Sequence, residues 1–390
     1  MKPIKICIIS LRSLPLFDSA YNTENVIGGA EINLFNLACC LSQKKNLSVQ
    51  VLVDDFGQPE RYKKGGIELI RFKKNSSDKP WLVRKFNAIK AYRALLLLDA
   101  DVFIFTASSE LLGVLVLFQR ILRRKQVFFR LSSDLNIDLN NFKRNNSYIS
   151  YLLYQFGLKN STKLISQTMK QKNLLKTKLG LDSEIIENGF FMRSGIRAED
   201  KEFILWVGRC MDTKHPMKFI ELAQKLPEKE FVMIMPINKE IPEAEKKHRQ
   251  ELAHNVNEAA KSLKNLKLID YVPFHRIQDY FDKAKAYVCT SELEGFPNTF
   301  IQACLGGTPI ISYCINPSNM IEEYDLGCFC HNDSERAVNF IKDLDSKKSN
   351  KFIDNLQKYV ALKHNIYDTA ENYLNLMKEG AGYARRAGIL

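Results

Sequence analysis

Short runs of β-branched and apolar residues alternate with amphipathic stretches along most of this chain. Alternation of this kind is typical of parallel strands that are joined by helices in one doubly wound sheet. A first series of predicted elements comprises strands 4–10, 49–54, 67–72, 102–106 and 127–131 and helices 30–43, 81–98 and 109–123. The pattern therefore predicts an α/β fold.

The same alternation starts afresh near Phe203. This second series comprises strands 203–208, 230–235, 266–269, 286–289 and 309–312 and helices 215–226, 241–263, 276–284, 297–305 and 317–323. Because 390 residues are enough for two ordinary cores, we expect two Rossmann-like doubly wound domains. We place the first domain at 1–195 and the second at 196–362, followed by a helical segment and tail at 363–390.

Composition is that of a globular protein, with 45% hydrophobic and 26% charged residues. The nine cysteines lie mostly in apolar runs without Cys-x-x-Cys spacing, which favours reduced thiols in a cytosolic protein. Cys328 and Cys330, with His331 beside them, are the one cluster that could suggest a metal site. Since no second ligand pair accompanies them, alternation along a strand is the better interpretation.

No segment predicts a signal peptide or a membrane span. The apolar run 5–10 is soon interrupted by Arg12 and Pro15 and is too short for a signal peptide. The apolar region 94–122 is interrupted by acidic residues, so no continuous stretch is long enough to cross a bilayer. We expect a cytoplasmic protein whose membrane contact, where it has one, is peripheral at the inner face of the plasma membrane.

The net charge of +13 is unevenly distributed. Residues 1–198 contain 31 Lys and Arg against 16 Asp and Glu, whereas the remainder contains 26 against 28. A basic first half favours an anionic acceptor or an anionic membrane surface, and general solubility is the alternative explanation. No zinc-finger, RNA-binding or helix-turn-helix signature accompanies the charge, so nucleic acid is not an expected partner.

The segment 291–303 carries the strongest functional signal. An apolar strand at 286–289 runs into a Glu-Gly turn, and Pro297 stands near the first position of the next helix, where its missing N–H costs nothing. Unpaired amides and the helix dipole at such a start favour an anion, for example a diphosphate. The candidate binding residues of this turn are Glu294, Gly295, Phe296, Pro297, Asn298 and Thr299.

Two further segments suggest phosphate contacts. Arg209 and Lys214 follow the first strand of the second domain, and together a planar guanidinium and a compact ammonium suit a departing diphosphate. A solvated pair in an ordinary loop is the alternative.

Gly28 and Gly29 precede a helix after the first strand, where they let the backbone approach a ligand. A simple tight turn would also explain them, and the Gly-x-Gly-x-x-Gly spacing of a dinucleotide site is missing.

In this order, the motifs resemble those of retaining GT-B glycosyltransferases of family 4 (glycosyl transferases group 1), found in bacterial surface-polysaccharide synthesis. That family has a Glu, seven residues and a second Glu; here the positions are Glu294 and Gln302. The resemblance implies two domains that face a cleft and a C-terminal helix returning to the first domain, anchored by Tyr367, Tyr373 and Leu374. It further implies transfer of a sugar from a UDP-sugar or GDP-sugar to a glycan or lipid-linked acceptor.

The resemblance also assigns roles in the second domain. Arg209 and Lys214 would neutralise the donor diphosphate and Glu294 would bind the donor sugar, which makes these three the candidate catalytic residues. His215 stands where the family has Gly. Gln302 would reach the ribose, although its amide has one acceptor oxygen where a carboxylate has two.

Three other assignments follow from the resemblance. Tyr271 and Val272 would read the nucleobase, with Asp270 in place of a common Gly, and the glycines at 28–29 would contact the donor phosphates. Many relatives place a His near the reacting sugar in the first domain, whereas all six His of this chain lie in its second half. Arg130 or Asp134 could substitute for it as a sugar or acceptor contact.

No metal and no cofactor beyond the nucleotide sugar are expected. The Asp-x-Asp patterns at 99–101 and 343–345 lie where chance explains them. Two alternatives to a catalytic transferase stay open. One is an inactive glycosyltransferase-like subunit, suggested by Gln302 and the missing His; the other is a nucleotide-sugar epimerase, which would need no acceptor.

Overall fold

The structure is a computed structural model that describes residues 3–21, 27–72, 95, 98–236, 243–344 and 346–386. The described residues form two compact units. The first contains those of Met1–Asn22, Gly28–Phe190 and Ile366–Leu390, and the second contains those of Thr23–Ile27 and Phe191–Asn365.

The first unit is built on an eight-stranded sheet with the order β3-β4-β2-β1-β5-β6-β7-β8. Its strands are β1 (Ile4–Ile9), β2 (Leu47–Asp54), β3 (Arg61–Lys64), β4 (Ile67–Phe72), β5 (Val102–Phe105), β6 (Gln126–Arg130), β7 (Lys163–Ser166) and β8 (Glu184–Ile185). All neighbours pair in parallel except β3 and β4. The central strand β1 is buried because helices cover both faces of the sheet, as parallel sheets require.

Among the described residues, six helices lie between these strands: α1 (Leu14–Phe17), α2 (Gly29–Ser42), α3 (Leu111–Leu115), α4 (Leu139–Asn145), α5 (Tyr148–Asn160) and α6 (Met169–Leu179). Helix α3 continues as a π-helical segment over Val116–Leu122. Three of the helices begin with a side-chain cap: Asp138 for α4, Ser147 for α5 and Thr168 for α6. Such caps satisfy amides that the first turn leaves without a partner.

The second unit has a six-stranded, fully parallel sheet with the order β11-β10-β9-β12-β13-β14. Its strands are β9 (Phe203–Val207), β10 (Phe231–Ile234), β11 (Leu266–Ile269), β12 (Ala284–Cys289), β13 (Ile310–Ser312) and β14 (Gly327–Phe329). The helices are α7 (Pro216–Lys225), α8 (Glu243–Lys261), α9 (Phe274–Lys283), α10 (Asn298–Leu305), α11 (Met320–Glu323), α12 (Ser334–Asp343) and α13 (Ser346–Lys363).

The strand order of the second sheet determines where its loops meet. The chain winds outward from β9 through β10 to β11 and then returns to the other side of β9 to add β12. Loops leaving the carboxyl ends of β9 and β12 therefore diverge at a topological switch point, where doubly wound sheets bind ligands.

The carboxyl-terminal region consists of two helices separated at His364 and Asn365, and the second, α14 (Ile366–Arg386), belongs to the first unit. The Ile366 amide donates to the Phe190 carbonyl, which ties the start of α14 to the end of the first unit. Tyr373 of α14 is fully buried, whereas Tyr367 is 52% exposed. The expectation that Tyr367 anchors this helix is therefore wrong, because it lies on the solvent side.

The predicted fold class, two Rossmann-like doubly wound domains, is confirmed. Of the predicted helix 81–98, all but residues 95 and 98 lie outside the described residues. The sequence pattern did not predict the short strands β3, β7, β8 and β14. All four have at most four residues, too few to show a period.

Helices α3 and α5 touch at two glycines. A Cβ added to Gly113 would lie 2.2 Å from the Leu153 carbonyl oxygen, and one added to Gly157 would lie 2.8 Å from the Gly113 amide nitrogen. Because the obstacle is backbone, it cannot rotate away. We expect Gly113→Ala to destabilise the first unit by about 3 kcal/mol, the upper end for overpacking. Thermal unfolding would measure this, with Leu117→Ala at the exposed side of the same helical segment as the control that changes little.

Candidate active site

A cation and a carboxylate from the two central loops of the second sheet meet at the switch point. Lys214 ends a 3₁₀ turn that follows β9, and Glu294 lies in the loop that follows β12. The Lys214 Nζ and the Glu294 Oε1 form an ion pair. Their side chains are 19% and 22% exposed, so both are only partly accessible to solvent. The structure thus brings together the two motifs that the sequence predicts as functional.

A chain of hydrogen bonds behind this pair fixes the loop that carries Lys214. The buried Trp206 indole N–H donates to Thr290 Oγ1 at 2.8 Å, and the Thr290 hydroxyl donates to the Lys214 carbonyl oxygen at 2.5 Å. The Glu292 amide donates to the Thr213 carbonyl oxygen at 2.9 Å. These bonds join the β9 and β12 loops directly, so they fix the position of the loop that carries Lys214 relative to the loop that carries Glu294.

Sequence reasoning missed Trp206 and Thr290. The sequence feature that could have pointed to Trp206 is the glycine at position 208. The structure shows that a Cβ at Gly208 would lie 2.7 Å from the Trp206 ring. The glycine that opens this turn thus also leaves room for the indole that positions it.

Arg209 lies at the start of the same loop, with its side chain exposed. Within the part of the chain that the structure describes, its guanidinium forms no ion pair. A guanidinium without a carboxylate partner keeps its full capacity to bind an incoming phosphate. Arg209 and Lys214 therefore differ: the first is free, and the second is already paired to Glu294.

His215 stands where the resembling family has Gly, and its backbone conformation is one that favours Gly. Its φ of +46° and ψ of 56° put it in the left-handed region at the start of α7, where Gly is favoured. Its Nε2 lies 3.0 Å from Glu292 Oε2, a contact that a Gly cannot make. Nearby, His248 Nε2 lies 2.8 Å from Asp212 Oδ2. Asp212 and His215, which flank Lys214, thus each contact a side chain from another element.

The helix that follows Glu294 starts where the sequence predicts, but Pro297 lies one position earlier than its first turn. Pro297 precedes α10 as its N-cap, with φ −69° and ψ 118°, and does not occupy its first turn. No side chain caps this helix. Thr299 accepts a hydrogen bond from the buried Tyr287 hydroxyl at 2.9 Å, and the Phe296 ring packs 5.0 Å from the His364 ring between centroids. The first turn of α10 is therefore positioned by packing and keeps room for an anion.

Gln302 lies one turn into α10 and is 6% exposed. Its backbone carbonyl accepts from Gln278 Nε2 at 3.0 Å, but its side-chain amide makes no hydrogen bond to any described residue. The amide atoms are not fully enclosed, so the amide keeps enough access to contact a bound group. The position is consistent with a ligand contact.

Two groups under the site are neutral at physiological pH. Burial raises the pKa of the Tyr287 hydroxyl well above its ordinary value, and burial likewise raises the pKa of the Cys289 thiol. The ionic character of the site therefore comes from Arg209, Lys214 and Glu294.

Tyr271 and Val272 follow β11, which is two strands away from β9 at the same edge of the sheet. With neighbouring strands about 4.8 Å apart, the loop starts roughly 10 Å from the β9 loop across the sheet edge. Both residues are half-buried. A group extended along this edge could contact all three loops.

In the first unit, the structure places Gly28 and Gly29 at the start of α2. Gly28 is the N-cap with φ −79° and ψ 162°, and a Cβ there would lie 2.5 Å from Glu31 Oε2. The glycines thus permit a close approach between this helix start and its own first-turn carboxylate.

Arg130 and Asp134 lie near the carboxyl end of β6. Arg130 is almost fully buried, and its guanidinium donates to Asn188 Oδ1 and to the Leu131 carbonyl oxygen. Burial lowers its pKa below the ordinary value. Arg130 therefore holds the end of the strand and does not present its guanidinium to solvent. Asp134 is more accessible and pairs through Oδ2 with Lys170 at 2.9 Å.

Among the described residues, no group of three or more His, Cys, Asp or Glu side chains is arranged to hold a metal ion. Asp99 pairs with Lys5 and Asp101 pairs with Lys125, which accounts for the first Asp-x-Asp pattern. In the second, Asp345 lies outside the described residues. The same part of the chain contains no helix long and apolar enough to cross a bilayer.

The family model for glycosyl transferases group 1 matches residues 189–359, which include both loops of the Lys214–Glu294 pair. A search of curated proteins found no match.

Several solved structures of low sequence identity are similar to this chain. Sucrose-phosphate synthase from Thermosynechococcus elongatus is 15% identical, with a TM-score of 0.74, and the alignment covers 96% of this chain and 98% of that one. HepE of Anabaena, in complex with UDP and glucose, is 14% identical, with a TM-score of 0.70 and coverage of 96% and 99%. A glycosyltransferase from Rickettsia africae ESF-5 is 14% identical, with a TM-score of 0.66 and coverage of 98% and 99%.

Proposed function

We propose that the protein is a retaining glycosyltransferase of the GT-B fold, because the family model for glycosyl transferases group 1 matches residues 189–359, which carry the site described above. It moves a sugar from a nucleotide-diphosphate donor, a UDP-sugar or a GDP-sugar, to a glycan or lipid-linked acceptor. The observation that carries the proposal is the contact between Lys214 and Glu294 at the switch point of the second sheet.

We assign the charged groups as follows. Arg209 and Lys214 stabilise the diphosphate as it departs, since negative charge develops there in the transition state. Glu294 accepts hydrogen bonds from the donor sugar hydroxyls, and the Gln302 amide reaches the ribose. The residues of this site include no positioned covalent nucleophile. We therefore propose displacement on one face of the sugar, in which the leaving phosphate takes the acceptor proton without a metal ion.

The donor base and phosphates extend the site along the sheet edge. We propose that backbone groups at Tyr271 and Val272 contact the nucleobase. The amides at 295, 296, 298 and 299 would meet the phosphates at the start of α10. The structural similarity to HepE, whose complex contains UDP and glucose, supports a UDP-sugar as the first donor to test. In the first unit, we propose that the amides at Gly28 and Gly29 bind an anionic group of the substrate.

Location and pathway are proposals on the same basis. All nine cysteines are unpaired thiols, which favours a reducing, cytoplasmic compartment. The basic first half of the chain fits an anionic acceptor, so we propose a role in surface-polysaccharide synthesis at the inner face of the plasma membrane.

Thermal-shift measurements with UDP, GDP, ADP and CMP test the donor site. A nucleotide at a hundred times its dissociation constant should stabilise the protein by roughly 2.7 kcal/mol. We expect UDP or GDP to raise the midpoint and CMP, which has a single phosphate, to raise it less. If no nucleotide changes the midpoint of the folded protein, the donor-site proposal is wrong.

One observation favours a second candidate, an inactive subunit, because Gln302 replaces a carboxylate. Gln302→Glu distinguishes the two. In an active enzyme whose site is adapted to Gln, we expect turnover with a UDP-sugar to change by less than about tenfold, since one hydrogen bond to a charged group is worth about 1.5–3 kcal/mol and its desolvation opposes the gain. A gain of about a hundredfold or more from a very low rate would indicate a degraded site. Release of UDP during transfer to an acceptor is the measurement.

A further inference from the structure

Two helical segments of the first unit contain basic residues and no acidic ones. Residues 111–125, which include α3 and its π-helical continuation, contain four Lys and Arg and no Asp or Glu. Residues 139–160, which include α4 and α5, contain three Lys and Arg and no Asp or Glu. The two segments therefore contribute seven positive charges and no negative charge of their own, although Lys125 pairs with Asp101 of a neighbouring loop.

The two segments are neighbours in space. The contacts of Gly113 with Leu153 and Gly157 bring α3 against α5, and both helices bury apolar side chains in the same core. Arg120 also donates to the Asn160 carbonyl oxygen at the far end of the pair. The outer faces of the two segments thus form one surface of the first unit.

That surface exposes large apolar side chains. Six of them are between 37% and 70% exposed: Leu117, Ile121, Leu122, Tyr148, Ile149 and Leu152. Leu117 with Ile121, and Tyr148 with Leu152, are four residues apart and so share a helix face. These six residues are half of the large hydrophobic side chains found exposed among the described residues. We call these residues, with the basic residues around them, the amphipathic surface.

Basic side chains surround the apolar ones. Arg123, Arg124, Lys143 and Arg144 are all exposed. The Lys143 ammonium lies 6.0 Å from the Tyr148 ring centroid and 5.6 Å from that of Tyr151. Tyrosine rings beside cations, next to exposed Leu and Ile, are the composition of a protein surface that enters the headgroup region of a bilayer.

We propose that the amphipathic surface docks this protein onto a bilayer that contains anionic phospholipid. The apolar side chains enter the headgroup region, and the cations pair with lipid phosphates. A second copy of the chain fits less well, because a two-fold contact would place the same exposed cations, Arg123, Lys143 and Arg144, against each other. The proposal extends the proposed function by placing the enzyme where a lipid-linked acceptor lies, but vesicle binding requires no turnover and can succeed or fail independently of it.

Co-sedimentation of the full chain with vesicles tests the proposal. We expect binding to phosphatidylcholine vesicles with about 30% phosphatidylglycerol, at least about tenfold weaker binding to phosphatidylcholine alone, and release by about 0.5 M NaCl. Ile149→Glu should weaken binding about tenfold by removing an inserted side chain. Arg123→Glu with Arg144→Glu should weaken it by roughly 25-fold, since each cation contributes about 1 kcal/mol, equal to fivefold.

Matched controls lie in the second unit. Leu362 is 68% exposed and Ile149 is 70% exposed, so Leu362→Glu controls for the loss of an exposed apolar side chain. Lys342→Glu with Lys358→Glu controls for the charge reversal, since both residues are exposed. The proposal is overturned if the wild type does not bind anionic vesicles or if control and surface variants lose binding equally. It is also overturned if light scattering shows a dimer that Ile149→Glu dissociates.

Discussion

Replacing Arg209 and Lys214 together by Ala should lower the rate of sugar transfer by roughly 10⁴-fold. Each removes a donor aimed at charge that develops on the departing diphosphate, and one such donor typically contributes about 10²–10³ in rate. The free protein should unfold at nearly the same temperature, because Arg209 has no ion-pair partner among the described residues and the Lys214–Glu294 pair is partly exposed. Initial rates of UDP release at varied donor concentration would measure the effect.

The single variants should differ from each other. In Lys214→Ala, Glu294 keeps its negative charge without its partner and repels the donor phosphates, so both kcat and nucleotide affinity should fall. In Arg209→Ala, the Lys214–Glu294 pair is intact, so we expect the smaller loss of affinity. Arg276→Ala with Lys267→Ala, two exposed cations of the second unit, is the matched control. A double variant within tenfold of the wild-type rate would show that these cations do not serve the leaving group.

The meeting of Arg209, Lys214 and Glu294 at one sheet edge could be predicted from the sequence. Each follows a predicted strand, and the carboxyl ends of parallel strands lie at the same edge. The sequence could not show that Lys214 already has a partner, because the distance between a Lys ammonium and a carboxylate 80 residues away depends on strand order. Because of that pairing, Lys214 has an ion-pair partner in the free protein, whereas Arg209 has none among the described residues.

Other features depend on burial, which local sequence does not determine. Arg130 ends β6 and Asp134 follows it by four residues. The Arg130 guanidinium is nevertheless buried against Asn188, whereas the Asp134 carboxylate pairs with the exposed Lys170. Tyr367 and Tyr373 similarly share one amphipathic segment but differ fully in exposure. The break between α13 and α14 could not be predicted from hydrophobic periodicity, because the hydrogen bond between Ile366 and Phe190 that accompanies it joins residues far apart in the sequence.

The left-handed conformation of His215 illustrates a third limit. The sequence shows only that a His stands where a Gly is common, and a change of backbone path is the simplest expectation from that difference. In the structure His215 adopts the left-handed conformation, and the contact of its ring with Glu292 accompanies it. A side-chain contact across two loops can offset the cost of a left-handed residue, which is about 1–2 kcal/mol.

Glu294→Ala should separate sugar recognition from diphosphate binding. Loss of the carboxylate removes hydrogen bonds to the donor sugar, so transfer should fall by roughly 10²–10³. Affinity for UDP itself should not fall. Because Glu294 pairs with Lys214 in the free protein, its removal releases the ammonium for the phosphates, and we expect UDP to bind roughly fivefold tighter, equal to about 1 kcal/mol. Calorimetric titration with UDP and rates with the UDP-sugar would measure the two effects separately.

Glu292→Ala is the matched control, since Glu292 lies in the same loop, is 68% exposed and pairs with His215 on the other side. It should leave both UDP affinity and transfer within about threefold of the wild type, as expected for an exposed pair. The double variant Lys214→Ala with Glu294→Ala gives the decisive comparison. If the unpaired Glu294 charge repels the bound diphosphate, removing Glu294 should restore part of the UDP affinity that Lys214→Ala loses. If removing Glu294 from the Lys214→Ala variant leaves UDP affinity unchanged, the Glu294 charge plays no part in diphosphate binding.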